Sequence, residues 1–385
     1  MGFNKKSFWK AAAAVVVVAG LAVSTSACSS GSSDGGSGSA QGTGTLEGNG
    51  ALLKVFMPST SNVYLAAAAQ AAKDEAKALG YEISIVENNW DQTEQDQQVQ
   101  EWIASGEEAA AVMLWPVSAA NAAATTSALA DVAPVLQWNQ LIAPDQEEFI
   151  KIGYAGVSDL GIGDQAGKDT VAQIEKLNKE GYKWKGGDKP NVLEIQLGSG
   201  DYSAGVDRHD AFVDVTGDQI NLLGTEGAKD FDAQGGYTAA STAIPKFLSK
   251  GIDIIYVQTN DMANGVVQAA EQNGLQPGKD VFLMTGTSSG SMANLKAGKI
   301  TTAVLQSPVI EGTLIVDTVA QYLATGASTP GTVTIASDKE KPKLEVVSPS
   351  YTTFMMNPTV TAENLGSFKI WGWDFFALMG KAAAE

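Results

Sequence analysis

From Leu52 onward the chain alternates short apolar runs with amphipathic or alanine-rich stretches, and no other feature constrains its fold so tightly. Leu52–Met57 reads as a strand and Tyr64–Leu79 as a helix stopped by Gly80. Glu82–Val86 and Gln92–Ser105 repeat the pair, and Ala110–Trp115 and Val135–Trp138 are further strands separated by the helix Ala119–Leu129. Parallel neighbours can be joined only by a crossover, so repeated strand–helix units imply a parallel sheet with helices on both faces. Between Gly153 and Gly163 the rhythm breaks into a glycine-containing stretch that reads as a loop, followed by a helix to about Lys179. A second series then begins, with strands at Val192–Leu197, Ile220–Gly224, Ile254–Gln258, Val281–Thr285 and Thr301–Gln306. Its helices lie near Ala204–Val215, Tyr237–Ser249, Ala263–Asn273, Met292–Lys296 and Glu311–Leu323. The expected fold class is α/β: two doubly wound parallel-sheet lobes of similar make, without a residue-level internal repeat. The tail from about Thr329 carries two Pro-containing, strand-like stretches and ends in Trp371-Gly-Trp373.

The N-terminus reads as an address. Met1–Lys10 holds three lysines and no acid, and Ala11–Val23 is apolar apart from Gly20. A spanning helix needs about 20 apolar residues, so this run has the length of a signal-peptide hydrophobic region instead. Small residues lead to Cys28, the only cysteine, which excludes an intrachain disulfide. The segment resembles a bacterial lipoprotein signal, although Thr25 stands where such signals usually carry Leu or Val. That resemblance implies a lipid on Cys28 and a position at the outer face of the cytoplasmic membrane, contacted through the anchor only. Residues 29–50 are dominated by Ser and Gly and read as a flexible tether. The formal charge is −18; losing residues 1–27 removes three lysines and no acid, leaving −21. Such a surface repels phosphate backbones, which argues against nucleic acid as a partner.

In open parallel sheets, ligands bind beyond the carboxyl ends of the strands. Those ends carry Ser59, Thr60, Asn62 and Tyr64; Asn89, Trp90 and Asp91; Trp115; Trp138, Asn139 and Gln140 in the first series. In the second they carry Asp201, Tyr202 and Arg208; Asp230, Phe231 and Asp232; Thr259, Asn260 and Asp261; Thr287 and Ser288; and Gln306. Aromatic rings beside amides, hydroxyls and one arginine suit a polyhydroxylated ligand, whose C–H faces stack on rings while its hydroxyls bond to fixed polar groups. Each member also has a plainer reading. A loop Asn or Asp caps helices and turns, a Trp ending a strand fills cores, and Arg208 can pair with Asp207 or Asp210 on its own helix. Catalytic and cofactor signatures are missing. His209 is the only histidine, so no metal-ligand cluster is expected. Gly286-Thr-Ser-Ser-Gly-Ser lacks the lysine of a phosphate loop, and Gly161-Ile-Gly163-Asp-Gln-Ala-Gly167 is one residue too long for a dinucleotide fingerprint. Asp230-Phe-Asp232 opens like a calcium loop, but its twelfth position is Ser241. Neither cofactor nor enzymatic activity is expected, with a glycoside-acting carboxylate pair the alternative that sequence leaves open.

The stretch from about Leu52 to Leu323 resembles the type I periplasmic binding proteins of the ribose/galactose class. The matching segments are Pro58-Ser-Thr-Ser-Asn-Val-Tyr64, Ala204–Phe212, Asp230-Phe-Asp232, Thr259-Asn-Asp-Met-Ala-Asn-Gly265 and Ala303-Val-Leu-Gln306-Ser-Pro. The resemblance implies two lobes joined by three hinge crossovers, near Gly153–Val157, near Gln306–Pro308 and after Thr329. The implied organisation is a signal peptide at 1–27, a tether at 28–50, an N-terminal lobe at 51–155 plus 307–330, a C-terminal lobe at 156–306, and a tail at 331–385 returning to the lobes. Together with the strand-end reading, which adds Asp91, Trp115 and Trp138, it implies a ligand site drawn from Asn62, Tyr64, Asp91, Trp115, Trp138, Asn139, Gln140, Arg208, Phe231, Thr259, Asn260, Thr287 and Gln306. The family's binding Asn falls on Thr259 without a gap and on Asn260 with a one-residue slip. Asn139-Gln140 and Gly286-Thr287 stand where ribose-type members carry Asp-Arg and Asp, which shifts the expectation from a plain aldopyranose toward a polyol, furanose or modified sugar. The implied role is a monomeric receptor delivering a sugar or polyol to an ABC permease and its ATPase. A same-fold receptor for a sensor or chemotaxis partner is the alternative.

Overall fold

The computed structural model describes residues 42–140, 149–156, 158–200, 202–287, 289–327, 331–333, 344–346, 351–353 and 357–384. The signal segment, Cys28, most of the tether, Val157, Asp201, Ser288 and the Thr287 side chain lie outside that description.

The first series is β1 (Leu52–Met57), α1 (Val63–Ala78), β2 (Glu82–Glu87), α2 (Gln92–Ser105), β3 (Ala111–Leu114), α3 (Ala123–Ala130), β4 (Val135–Trp138) and β5 (Gly153–Gly156). The second is α4 (Asp159–Lys179), β6 (Asn191–Leu197), α5 (Ser203–Thr216), β7 (Asn221–Ala228), α6 (Ala233–Phe247), β8 (Ile254–Val257), α7 (Asn260–Gln272), β9 (Phe282–Thr287), β10 (Gly290–Ser291), α8 (Ala293–Lys296), β11 (Thr302–Leu305) and α9 (Pro308–Thr325). The tail adds β12 (Gly331–Val333), β13 (Leu344–Val346), β14 (Tyr351–Thr353), β15 (Thr359–Val360), β16 (Lys369–Ile370), β17 (Trp373–Asp374), α10 (Phe375–Met379) and β18 (Ala383–Ala384).

These strands build two six-stranded sheets of the same design. One runs β2-β1-β3-β4-β5-β14 and the other β7-β6-β8-β9-β11-β15, and every neighbouring pair is parallel except β11 with β15. β3, β4, β6 and β8 are buried along their whole length, as strands covered on both faces must be. Helix starts are fixed by side-chain caps at the carboxyl ends of the strands. Asn62 accepts from the Tyr64 and Leu65 amides at the head of α1, Thr259 caps α7, and Ser307 caps α9.

The glycine-containing stretch at Gly153–Gly163 is not a loop. It forms β5 and, from Asp159, the first turns of α4. The glycines serve packing. A Cβ on Gly163 would come within 2.3 Å of the Arg208 carbonyl oxygen, so α4 and α5 touch backbone to backbone. The same device joins α9 to α1, where a Cβ on Gly312 would lie 2.0 Å from the Ala68 carbonyl oxygen. The chain therefore leaves the first sheet after β5, returns at β11–α9 when α9 packs on α1, and spans both sheets again between β14 and β15.

The tail is part of the core. α10 lies on α9, Phe375, Leu378 and Met379 are fully buried, and the Ser307 hydroxyl donates to the Leu378 carbonyl at 2.5 Å. β18 then pairs with β10. Phe375→Ala is expected to cost about 3–5 kcal/mol in a urea unfolding titration, the range for truncating a buried aromatic. A loss below about 1 kcal/mol would show that the tail lies on the body without completing its core.

Candidate functional site

Both sheets reverse strand order between their first and third strands, at β1/β3 and at β6/β8. At such a switch point the adjoining loops diverge and leave a crevice. An inner pocket of about 70 Å³ takes its lining from both switch points: Asn62, Tyr64, Leu65 and Trp115 from the first, and Leu197, Tyr202, Ala204, Arg208 and Thr259 from the second. Trp90, Asn139, Asp159, Phe231, Ser289 and Gln306 complete it. Asn62, Trp90, Tyr202 and Phe231 also line an outer cleft of about 740 Å³, together with Lys229, Asp230, Asp232 and Asp261, so the pocket opens through it.

Of the candidates named from sequence, Asn62, Tyr64, Trp115, Asn139, Arg208, Phe231, Thr259 and Gln306 meet in the inner pocket. Asp91 lines neither part; it caps α2, accepting from the Thr93 and Glu94 amides. Trp138 is fully buried behind Trp115, with ring centroids 5.2 Å apart. Gln140 donates to the Tyr202 hydroxyl at 2.7 Å. Asn260 is buried as the first residue of α7, against Met292 Sδ at 3.9 Å and the Ser289 amide at 3.4 Å. Thr287 ends β9, and its side chain lies outside the described residues.

Among the residues absent from the sequence-derived set, Trp90, Tyr202, Asp159 and Glu311 carry a ring or a charge to the pocket or its support. Trp90 and Tyr202 sit in the right loops, but a side chain's direction is set by backbone geometry. Trp90 has φ 65° and lines both the inner pocket and the outer cleft, and Tyr202 packs on Phe231 with ring centroids 4.9 Å apart. Asp159 is hidden in the stretch read as a loop. Glu311 sits within an apolar helix, and an acid among apolar residues at a helix start is the signal that could have marked it.

The family model described as a periplasmic binding protein domain matches residues 53–328. The chain belongs to that family. Solved structures agree on the fold. A galactofuranose binding protein superimposes with TM-score 0.65 at 19% identity, covering 82% of this chain and 95% of that one. A Bacillus halodurans solute binding protein with bound myo-inositol gives 0.64 at 18%, covering 83% and 97%. A Caulobacter myo-inositol binding protein gives 0.64 at 16%, covering 82% and 95%. No curated protein sequence matches the chain.

Two buried charged groups organise the pocket of this periplasmic binding protein. Arg208, 3% exposed, pairs with neither Asp207 nor Asp210, the partners its own helix offers. Its Nε donates to Asp159 Oδ1 at 2.8 Å, Nη1 to the Gln258 carbonyl at 2.7 Å, and Nη2 to Gln306 Oε1 at 3.0 Å. Burial raises the Asp159 pKa, against the pull of the guanidinium beside it. On the other wall Glu311 is fully buried and accepts from the Tyr64 hydroxyl, from Trp138 Nε1 at 2.9 Å and from Asn139 Nδ2 at 2.8 Å. Burial pushes its pKa up to about 7, these three donors holding it down and the charge of Asp159 adding to the rise. Among the described residues no group of three His, Cys, Asp or Glu is placed to hold a metal ion, and no helix is long and apolar enough to cross a membrane.

Removing one partner of a buried ion pair leaves the other charge uncompensated, at about 3–5 kcal/mol. Arg208→Ala is therefore expected to lower ligand-free stability by about that amount at neutral pH, by stranding Asp159. A loss under about 1 kcal/mol in chemical denaturation would mean that the pair is solvated and that Arg208 is free to serve the ligand alone.

Proposed function

We propose that this chain is an extracytoplasmic solute-binding protein that captures a small polyhydroxylated ligand, a sugar or polyol, between its lobes and passes it unchanged to an ABC importer. The observation that carries this reading is the inner pocket. It is lined by rings from both sheets, Tyr64, Trp90 and Trp115 from the loops of the first and Tyr202 and Phe231 from those of the second, with Asn62, Asn139, Arg208, Thr259 and Gln306 among them. Rings take the C–H faces of such a molecule, and fixed donors and acceptors take its hydroxyls. The ligands named for proteins of this fold, galactofuranose and myo-inositol, are of this class. The chain's sole histidine, His209, is not among the residues lining the pocket, which favours capture without turnover. A ligand that touches both walls stabilises the closed arrangement, and the crossovers at β5–α4, β11–α9 and β14–β15 are where the hinge would act. The lobe boundaries are those named above, and the protein acts as a monomer.

A thermal-shift screen against pentoses, hexoses and inositols tests the reading. Binding at 100 times Kd adds about 2.7 kcal/mol of stability, so a true ligand gives a clear rise in Tm and is recovered intact. A screen in which no sugar or polyol moves Tm, or one in which the ligand returns cleaved, would overturn it.

The lipoprotein-like signal supports anchoring through Cys28 at the outer face of the membrane, with residues 29–50 as the tether. Cys28→Ser is expected to shift the protein from the membrane fraction to the soluble fraction. Unchanged fractionation would rule the anchor out.

A further inference from the structure

Glu311 does not line the pocket, yet it holds two side chains that do. It lies in the first turn of α9, five residues past Gln306, and is fully buried. The Tyr64 hydroxyl donates to one carboxylate oxygen; Trp138 Nε1 and Asn139 Nδ2 share the other at 2.9 and 2.8 Å. An ionised carboxylate can only accept. It therefore spends the one proton of Tyr64 and leaves the phenolic oxygen with acceptor capacity alone. It also takes the nitrogen end of the Asn139 amide, because an amide oxygen turned toward it would set two acceptors against each other. The Asn139 carbonyl oxygen must then lie on the side away from Glu311. The backbone under Asn139 is fixed as well: φ is 64°, its amide donates to the Ala155 carbonyl at 3.0 Å, and its carbonyl accepts from the Tyr154 hydroxyl at 2.5 Å. The opposite wall presents Arg208, a side chain that can only donate.

We propose that Glu311 is a positioning residue that makes Tyr64 and Asn139 hydrogen-bond acceptors toward the ligand, so that this wall of the pocket selects for hydroxyl groups that donate. The proposal rests on the polyhydroxyl reading above. A group this buried also links selectivity to pH. The charged and titratable side chains around it are Tyr64 on α1, Tyr154 on β5, Asp159 on α4, and Tyr202 and Arg208 at the start of and within α5. Glu311 has its pKa at about 7, so the acceptor state is populated above that pH. Below it, a protonated Glu311 can donate to Tyr64, whose own O–H then turns to the pocket.

Glu311→Gln fills the same volume but has one oxygen to accept with, and its amide nitrogen donates to Tyr64. Calorimetry with myo-inositol, D-galactose and L-arabinose, each against its mono-O-methyl ethers, separates positioning from packing. At pH 8 the wild-type protein is expected to prefer the parent compound it binds over the ethers that remove a donated proton. Glu311→Gln is expected to weaken that parent roughly 10- to 100-fold and to reduce the discrimination. Between pH 6 and pH 8 wild-type affinity rises, while that of the Gln variant stays flat. A role in packing alone predicts that the isosteric Gln restores wild-type binding. Wild-type binding that Glu311→Gln leaves within threefold, with discrimination and pH dependence intact, overturns this proposal alone. Failure of these probes and of every sugar and polyol in the thermal-shift screen to bind the wild-type protein overturns the polyhydroxyl reading, and the positioning role with it.

Discussion

A guanidinium withdrawn from water must have its donors met, and in this protein the partners of Arg208 come from three elements that are distant in sequence. Asp159 opens α4, the Gln258 carbonyl follows β8, and Gln306 follows β11 just before the chain returns to the first sheet. The charge thus ties a crossover, a switch point and a strand end of the second sheet into one rigid unit. The pairing reaches further through Gln258. Its amide nitrogen donates to buried Glu194 at 2.9 Å and its oxygen accepts from the Leu197 amide at 3.0 Å, while Glu194 lies 2.5 Å from His209, the next residue after Arg208. A hydrogen bond to Glu194 raises the His209 pKa, which favours the charged imidazolium.

The first sheet solves the converse problem. Its buried charge is negative, and Glu311 draws donors from α1 and β4. One wall of the pocket is therefore built around a cation and the other is backed by an acid. A neutral ligand with many hydroxyls can satisfy both at once, since each hydroxyl donates and accepts. An anion in the pocket would meet Asp159, with Glu311 behind the other wall, and a cation would meet Arg208.

The tail beyond the matched family segment adds a further link between the halves. β15 extends the second sheet, α10 packs on α9 of the first half, and β18 pairs with β10, one residue past the pocket residue Ser289. A segment bound to both halves shares in any movement between them.

What the sequence determined by itself was the alternation of elements and their strand-end loops. Apolar runs of strand length between helical stretches admit few arrangements once parallel pairing and right-handed crossovers are imposed. That logic led to Asn62, Tyr64, Trp115, Asn139, Arg208, Phe231, Thr259 and Gln306, because a residue that follows a parallel strand emerges at the cleft end. Only the tertiary structure decided which side chains at those ends point inward. Asp91 and Trp90 are adjacent, yet one caps a helix and the other reaches the pocket, a choice made by a left-handed φ that composition does not reveal. It also decided the partners of the buried charges. Gly163 looked like a loop former until α5 lay against it, and Asp159 and Glu311 gained meaning only when Arg208, Tyr64 and Asn139 arrived from elsewhere in the chain. Local pattern records the period at which a segment buries its apolar side. The pairing of buried polar groups joins residues up to 247 positions apart, and no local period can encode it.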